Sequence, residues 1–223
     1  MMKNLPAWLL CAWTISGAFF FFTEAGSIAW WDVAWVVLLV SISYGMLVSV
    51  GGLARARTCA GIVLGVFSVI ITLTAVTGWP LGAVRFSGPA ALRLGNLFPL
   101  LPPLTAFAFL TLSQRASAIA FSSVNATPLA AITAGVFLAT TANALIFFSK
   151  IRLWWLWNPW GEQANPLVLV VPWVTLGFIS FLLARFYPED NALQLSRWSP
   201  AAIVLIVLNI LFLAANVRVI GIH

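Results

Sequence analysis

The sequence predicts an all-α, polytopic transmembrane helix bundle of about seven spans, forming a single domain over residues 1–223. Three observations lead there. Hydrophobic residues make up 62% of the chain and charged residues 7%, against roughly 25% charged in a soluble domain; the mean hydropathy is +1.05. The apolar residues fall in runs close to the ~20 residues that a membrane-spanning helix needs. The 12 Trp and 17 Phe exceed what spanning requires, and those near run ends suit aromatic belts at the lipid–water boundary.

In chain order the spans are Pro6–Thr23, Val33–Leu53, Thr58–Thr77, Leu97–Ser113, Pro128–Ser149, Leu167–Ala184 and Pro200–Val217. The first follows Lys3 and has no small-x-small cleavage site before Glu24, so it reads as a span rather than a signal peptide. The fourth is short and opens with prolines. Between the third and fourth lies Gly78-Trp79-Pro80-Leu81-Gly82-Ala83-Val84-Arg85-Phe86, running on to Pro99 and Pro102-Pro103. This Gly/Pro-rich stretch, near residues 78–103, is either an extramembrane loop or a re-entrant segment covered by other protein. The remaining loops are Gln114–Thr127, Lys150–Pro166 and Arg185–Ser199, and Arg55/Arg57 mark a tight turn between the second and third spans.

The net charge of +6 is scattered between apolar runs, as topology-setting loop residues are, and does not form a nucleic-acid patch. Lys3 and the Arg55/Arg57 turn favour a cytoplasmic amino terminus, in a bacterial or archaeal inner membrane. Cys11 and Cys59 lie in apolar runs without a CxxC partner and read as small core residues. The only histidine is His223, so a metal or haem site built on several histidines is not expected. Membrane lipid is the expected partner, and nothing indicates an oligomeric state.

With few ionisable groups, each one near a span is a candidate. Glu24 and Asp32 bracket the first connection beside Trp30 and Trp31. They read as a general acid against an aromatic wall or as interfacial carboxylates at helix ends. Arg85 and Arg93 suit an anionic group, a pairing with those carboxylates, or lipid headgroups. Asn143, in mid-span, seeks an interhelical partner or positions a water. The cluster Trp154-Trp155-Leu156-Trp157-Asn158-Pro159-Trp160 lies on the membrane surface or walls a site for a conjugated lipid. Pro172-Trp173-Val174-Thr175-Leu176-Gly177-Phe178 kinks its span, and Thr175 can bond the freed backbone.

The stretch Thr77-Gly78-Trp79-Pro80-Leu81-Gly82-Ala83-Val84-Arg85-Phe86, followed by Pro99, resembles the Thr-Gly-x-Pro-Phe-Gly-x-Tyr-x-Tyr block of the integral-membrane carotenoid biosynthesis family. That family includes carotenoid 1′,2′-hydratases and bisanhydrobacterioruberin hydratases. Trp154, Trp157 and Val170-Val171-Pro172-Trp173-Val174-Thr175-Leu176-Gly177-Phe178 are similar to its Trp-rich loop and its Gly-Val-Pro-x-x-Asn-x-x-Gly-Trp block. The chain departs where Val84 and Phe86 replace tyrosines, Thr175 an asparagine and Phe178 a tryptophan. Where the family carries acids, this chain offers Thr72 or Thr74, and Asn143.

The resemblance implies cofactor-free hydration of the terminal 1,2 double bond of an acyclic carotenoid end group. An acid protonates C2, a tertiary cation forms at C1, and water adds. On that basis Glu24 or Asp32 is the acid, and Asn143 or Thr175 holds the water. Trp79, Arg85, Phe86, Arg93, Trp154, Trp157, Trp173 and Phe178 contact the polyene. The missing family acids support a second expectation: a non-catalytic subunit or carotenoid-binding protein that kept the fold. Paired broken helices and an inverted repeat, the marks of a secondary transporter, are not evident.

Overall fold

The computed structural model describes residues 29–79, 83–86, 93–94, 98–120, 136, 139–140, 143–144, 146–152, 155–158 and 200–220. Helices dominate: α1 (Ala29–Thr77), α2 (Leu101–Ala120) and α3 (Pro200–Ile220), with a π-helical turn at Phe147–Ile151 preceded by helical residues at 136, 139–140, 143–144 and 146. Two short antiparallel ladders join them. β1 (Ala83–Phe86) pairs with β4 (Trp155–Asn158), and β2 (Arg93–Leu94) with β3 (Phe98–Pro99).

α1 is two apolar limbs joined at Gly52, whose φ of 76° and ψ of 168° interrupt the helix. That corner of backbone space is open essentially to glycine alone, so one residue makes the break. The sequence places a turn at Arg55/Arg57. Instead both arginines are helical and exposed, because the conformational work is finished at Gly52 and arginine is a good helix former. α1 ends with an αL cap. Gly78, at φ 74°, donates its N–H to the Thr74 carbonyl at 2.8 Å, a bond that satisfies a terminal carbonyl. Thr77 Oγ1 donates to Leu73 O at 2.7 Å and accepts the Trp79 N–H at 3.1 Å, and Pro80 cannot extend the helix.

α2 opens on Pro102 and Pro103, whose missing N–H groups fall in the first turn, where no helical bond is lost. Its boundaries differ from the expected Leu97–Ser113. Phe98–Pro99 goes to the β2–β3 ladder, and the helix runs on to Ala120 because Gln114 and Arg115 favour helix although they are polar. Loop expected at 114–120 is therefore helix, and part of the loop expected from Lys150 is π-turn and strand.

The core follows helical periodicity. α1 buries Trp35, Val36, Leu39, Ile42 and Leu47 on one limb and Ala56, Cys59, Val63, Phe67 and Ile71 on the other. α2 is buried on every side from Phe107 to Ser113, as a helix apolar all round must be. It packs along α1 and against α3, while α3 also packs on the π-turn. The outward faces are apolar too: Val69, Val76, Ile206, Ile210 and Val217 are all exposed. Among the described residues one helix, Gly51–Thr77, is long and apolar enough to cross a membrane, and only 28% of its most apolar window is buried. Val33–Ser49, Leu101–Ser113 and Ile203–Arg218 are apolar but shorter.

Substituting Gly52→Ala is expected to destabilise the protein by about 1–3 kcal/mol. Gly61→Ala, an exposed helical position with nothing within 4 Å of the added Cβ, is expected to be neutral or stabilising by up to about 1 kcal/mol. Thermal unfolding of both variants in detergent checks this, and a silent Gly52→Ala would contradict the observed backbone there.

Candidate functional site

Two chemistries meet in the interior. One is a line of amides and a hydroxyl between the helical residues before the π-turn and α3. Asn209 and Asn216 are seven residues apart, so they lie on one face of α3, two turns from each other. Thr140 and Asn143 lie one turn apart on the facing run. Asn143 Nδ2 donates to Asn209 Oδ1 at 3.4 Å. Asn209 Nδ2 donates to Thr140 Oγ1 at 3.1 Å and to its own Leu205 carbonyl at 2.9 Å. Asn216 Nδ2 donates to the Asn143 carbonyl at 3.0 Å. An amide in an apolar interior is stable only when so engaged, and these bonds lock the two segments together.

The second chemistry is aromatic. Phe212 projects from α3 between the two asparagines, and three other segments converge on it. Its ring centroid lies 4.8 Å from Phe147, 5.8 Å from Phe148, 5.9 Å from Phe109 and 6.3 Å from Trp35. Trp35 also meets Phe148 at 6.0 Å. All five rings are buried. Such tilted and edge-on arrangements are favourable beyond simple burial, and ring faces of this kind can stabilise a cation. The π-turn presents consecutive phenylalanines, Phe147 and Phe148, to this cluster and ends at Arg152, which is itself buried. Wide turns of this kind recur at functional positions.

The expected site residues distribute as follows. Asn143 is in the amide line, with its side chain engaged by Asn209. Asp32 is in the first turn of α1, three residues before Trp35 and four before Val36. Arg85 and Phe86 are in β1, opposite Leu156 and Trp155, and Trp157 is opposite Val84. The ladder thus brings the Gly/Pro-rich block and the Trp-rich block side by side. Arg93 is in the other ladder, opposite Pro99, and Trp79 stands exposed just after α1. Glu24, Trp154, Trp173, Thr175 and Phe178 lie outside the described residues. Of the two threonines that stand where the resembling family has an acid, Thr74 is buried and Thr72 exposed.

Asn209, Asn216 and Thr140 were not singled out from the sequence. The signal existed, since two amides seven apart in an otherwise apolar run mark one helix face, but a partner for them is a tertiary fact. Arg152 falls within Lys150–Pro166, which the sequence marks as a loop, yet it is buried. Among the described residues no group of three or more His, Cys, Asp or Glu is arranged to hold a metal ion. No protein-family model, no curated protein and no solved structure matches this chain.

Phe212→Ala is expected to destabilise by about 3–5 kcal/mol, since it removes the ring on which three other segments close. Asn143→Ala and Asn209→Ala, measured singly and together, are expected to show a coupling of about 0.6 kcal/mol, and below ~2 kcal/mol. Unfolding in detergent measures both; strictly additive single substitutions would mean that the two amides do not interact.

Proposed function

We propose that this chain is an integral membrane protein of about seven spans that hydrates the terminal 1,2 double bond of an acyclic carotenoid end group. The observation that carries the proposal is the β1–β4 ladder. The Gly/Pro-rich block and the Trp-rich loop, two of the three stretches that carry the resemblance, are about seventy residues apart in the sequence, yet they pair from Ala83↔Asn158 to Phe86↔Trp155; the third, Val170–Phe178, lies outside the described residues. Apolar outward faces on α1 and α3 suit a lipid surroundings, and the exposed Arg55 and Arg57 beside the Gly52 break suit a cytoplasmic turn, with the amino terminus on that side.

The chemistry is proton transfer and water addition. The acid gives its proton to C2, the electron pair of the double bond forms the C–H bond, and a tertiary cation is left at C1. Water adds there, and its surplus proton returns to the carboxylate, so that one water is gained overall. Asp32, in the first turn of α1 three residues before Trp35, is the acid proposed first. Glu24 is the alternative. Aromatic faces stabilise the cation.

A second function, polyene binding without catalysis, is favoured by a specific observation. Where the resembling family has acids, this chain has groups already engaged in structure. Asn143 is bonded through both its side chain and its carbonyl, and the buried Thr74 points its hydroxyl at the Trp79 carbonyl at 3.5 Å.

Co-expression in a bacterium that accumulates lycopene separates the two. Hydration is expected to yield a more polar pigment heavier by one water, seen by chromatography and mass spectrometry. Asp32→Asn is expected to lower its formation about 10²–10⁴-fold, the usual contribution of a general acid. Unchanged pigment, with the protein verified in the membrane, would sink hydration; unchanged pigment that co-purifies with the protein would establish binding.

A further inference from the structure

The charges of this chain are unevenly placed. Its carboxylates are Glu24, Asp32, Glu162, Glu189 and Asp190, so residues 33–161 hold none, while the same stretch carries Arg55, Arg57, Arg85, Arg93, Arg115, Lys150 and Arg152. A cation there takes its counter-charge from far along the chain or from outside the protein. Arg55 and Arg57 are exposed, and neither forms an ion pair among the described residues. Asp32, the one carboxylate among those residues, stands at the opposite end of the first limb, about 30 Å of helix from the Gly52 break.

The two arginines mark one end of the second limb. Gly51 seats the stem of Arg55, whose Cδ lies 3.0 Å from where a Cβ on that glycine would stand, so the side chain runs back toward the break, as helical side chains lean. Arg57, two residues on, leaves the helix on a different face. Beyond them the outward face is aliphatic: Ile62, Val66, Val69, Leu73 and Val76 are exposed, and Trp79 stands exposed past the other end. The exposed hydroxyls of Thr58 and Thr77 donate to the carbonyls of Ala54 and Leu73, at 3.1 and 2.7 Å, so neither needs an acceptor from solvent. From Thr58 to Thr77 is about 30 Å of helix, the thickness of a bilayer's hydrocarbon core. Cations and an indole thus stand at its two ends, the levels at which headgroups meet such side chains.

We infer that the Gly52 end of this limb is a docking site for net-anionic phospholipid, with Arg55 and Arg57 each taking a headgroup phosphate and the aliphatic face from Ile62 to Val76 backing the acyl chains. Charge complementarity selects the occupant. A guanidinium meets phosphate oxygens through two parallel N–H bonds. A zwitterionic headgroup brings its own ammonium to that phosphate, whereas a net-anionic one leaves its charge for the protein. Each arginine at an anionic surface strengthens binding about fivefold. The inference rests on the membrane reading of the chain and not on carotenoid hydration.

The test uses the full-length protein in detergent, offered phosphatidylglycerol or phosphatidylcholine of matched chains, with bound lipid counted by native mass spectrometry. Wild type is expected to retain phosphatidylglycerol several-fold better than phosphatidylcholine. Arg55→Gln and Arg57→Gln are each expected to weaken phosphatidylglycerol about fivefold, and the pair together about 25-fold, with phosphatidylcholine unchanged. Arg55→Lys and Arg57→Lys, which keep the charge, are expected to keep most of the preference, and they serve if a glutamine variant does not fold. Equal retention of the two lipids by wild type overturns the site, as does a preference that survives the double Gln substitution. Displacement of the lipid by an equal concentration of glycerol phosphate would show a phosphate site without acyl contacts, and a lipid-free dimer would show that a second copy covers this face; either overturns the proposal. Washing membranes with alkaline carbonate tests the membrane reading separately. Release of the protein sinks that reading and the site with it, whereas a retained protein without lipid preference sinks the site alone.

Discussion

In an interior this apolar, a polar group has to find its partner within the protein or lose several kcal/mol of solvation, and most of the described structure is arranged around that demand. The buried hydroxyls of Ser43 on α1 and of Thr105 and Thr111 on α2 return to the carbonyls four residues back. The carboxyl end of α1 is closed by Gly78 and by the Thr77 hydroxyl, which both accepts and donates. The amides of Asn143, Asn209 and Asn216 cannot be satisfied within one helix, so they determine which face of α3 meets the helical residues before the π-turn. Rotating α3 by a few tens of degrees would leave these amides facing hydrocarbon.

Aromatic packing then fills what the amides have aligned. Phe212 lies between Asn209 and Asn216, and the rings of Trp35, Phe109, Phe147 and Phe148 close around it from three other segments. Close packing makes this a shared fixture rather than a set of separate contacts, because each ring's position depends on the others. α2 passes through the middle of the assembly and so carries small and apolar residues on all sides. The π-turn accommodates two adjacent phenylalanines at the point where the chain leaves the cluster for β4.

The β1–β4 ladder relates this core to the segments with the most unusual composition. It begins five residues after Gly78 terminates α1, and its other strand starts three residues after Arg152. Arg85 and Phe86 of the first segment are thereby paired with Leu156 and Trp155 of the second, with β1 against α1 and β4 against the π-turn. The aromatic cluster and the amide line meet on α3, where Phe212 lies between Asn209 and Asn216.

The helical character, the apolar runs of α1 and α3 and the glycine–proline termination of α1 were legible in the sequence, because each depends on local properties: side-chain hydropathy, the permitted φ of glycine and the missing N–H of proline. Asn143 could be recognised in the same way as an amide in need of a partner. The identity of that partner, Asn209, sixty-six residues away, could not. Nor could the pairing of β1 with β4, the burial of Arg152, or the convergence of five rings on one point. Strand register and helix-face contacts depend on which distant surfaces meet, and neither composition nor periodicity encodes that meeting. The sequence by itself determined which runs are apolar helix and where α1 ends; the tertiary structure alone decided the strand pairs, the extension of α2 to Ala120 and which residues face one another, since a hydrogen bond or a ring contact exists only once both sides are in place.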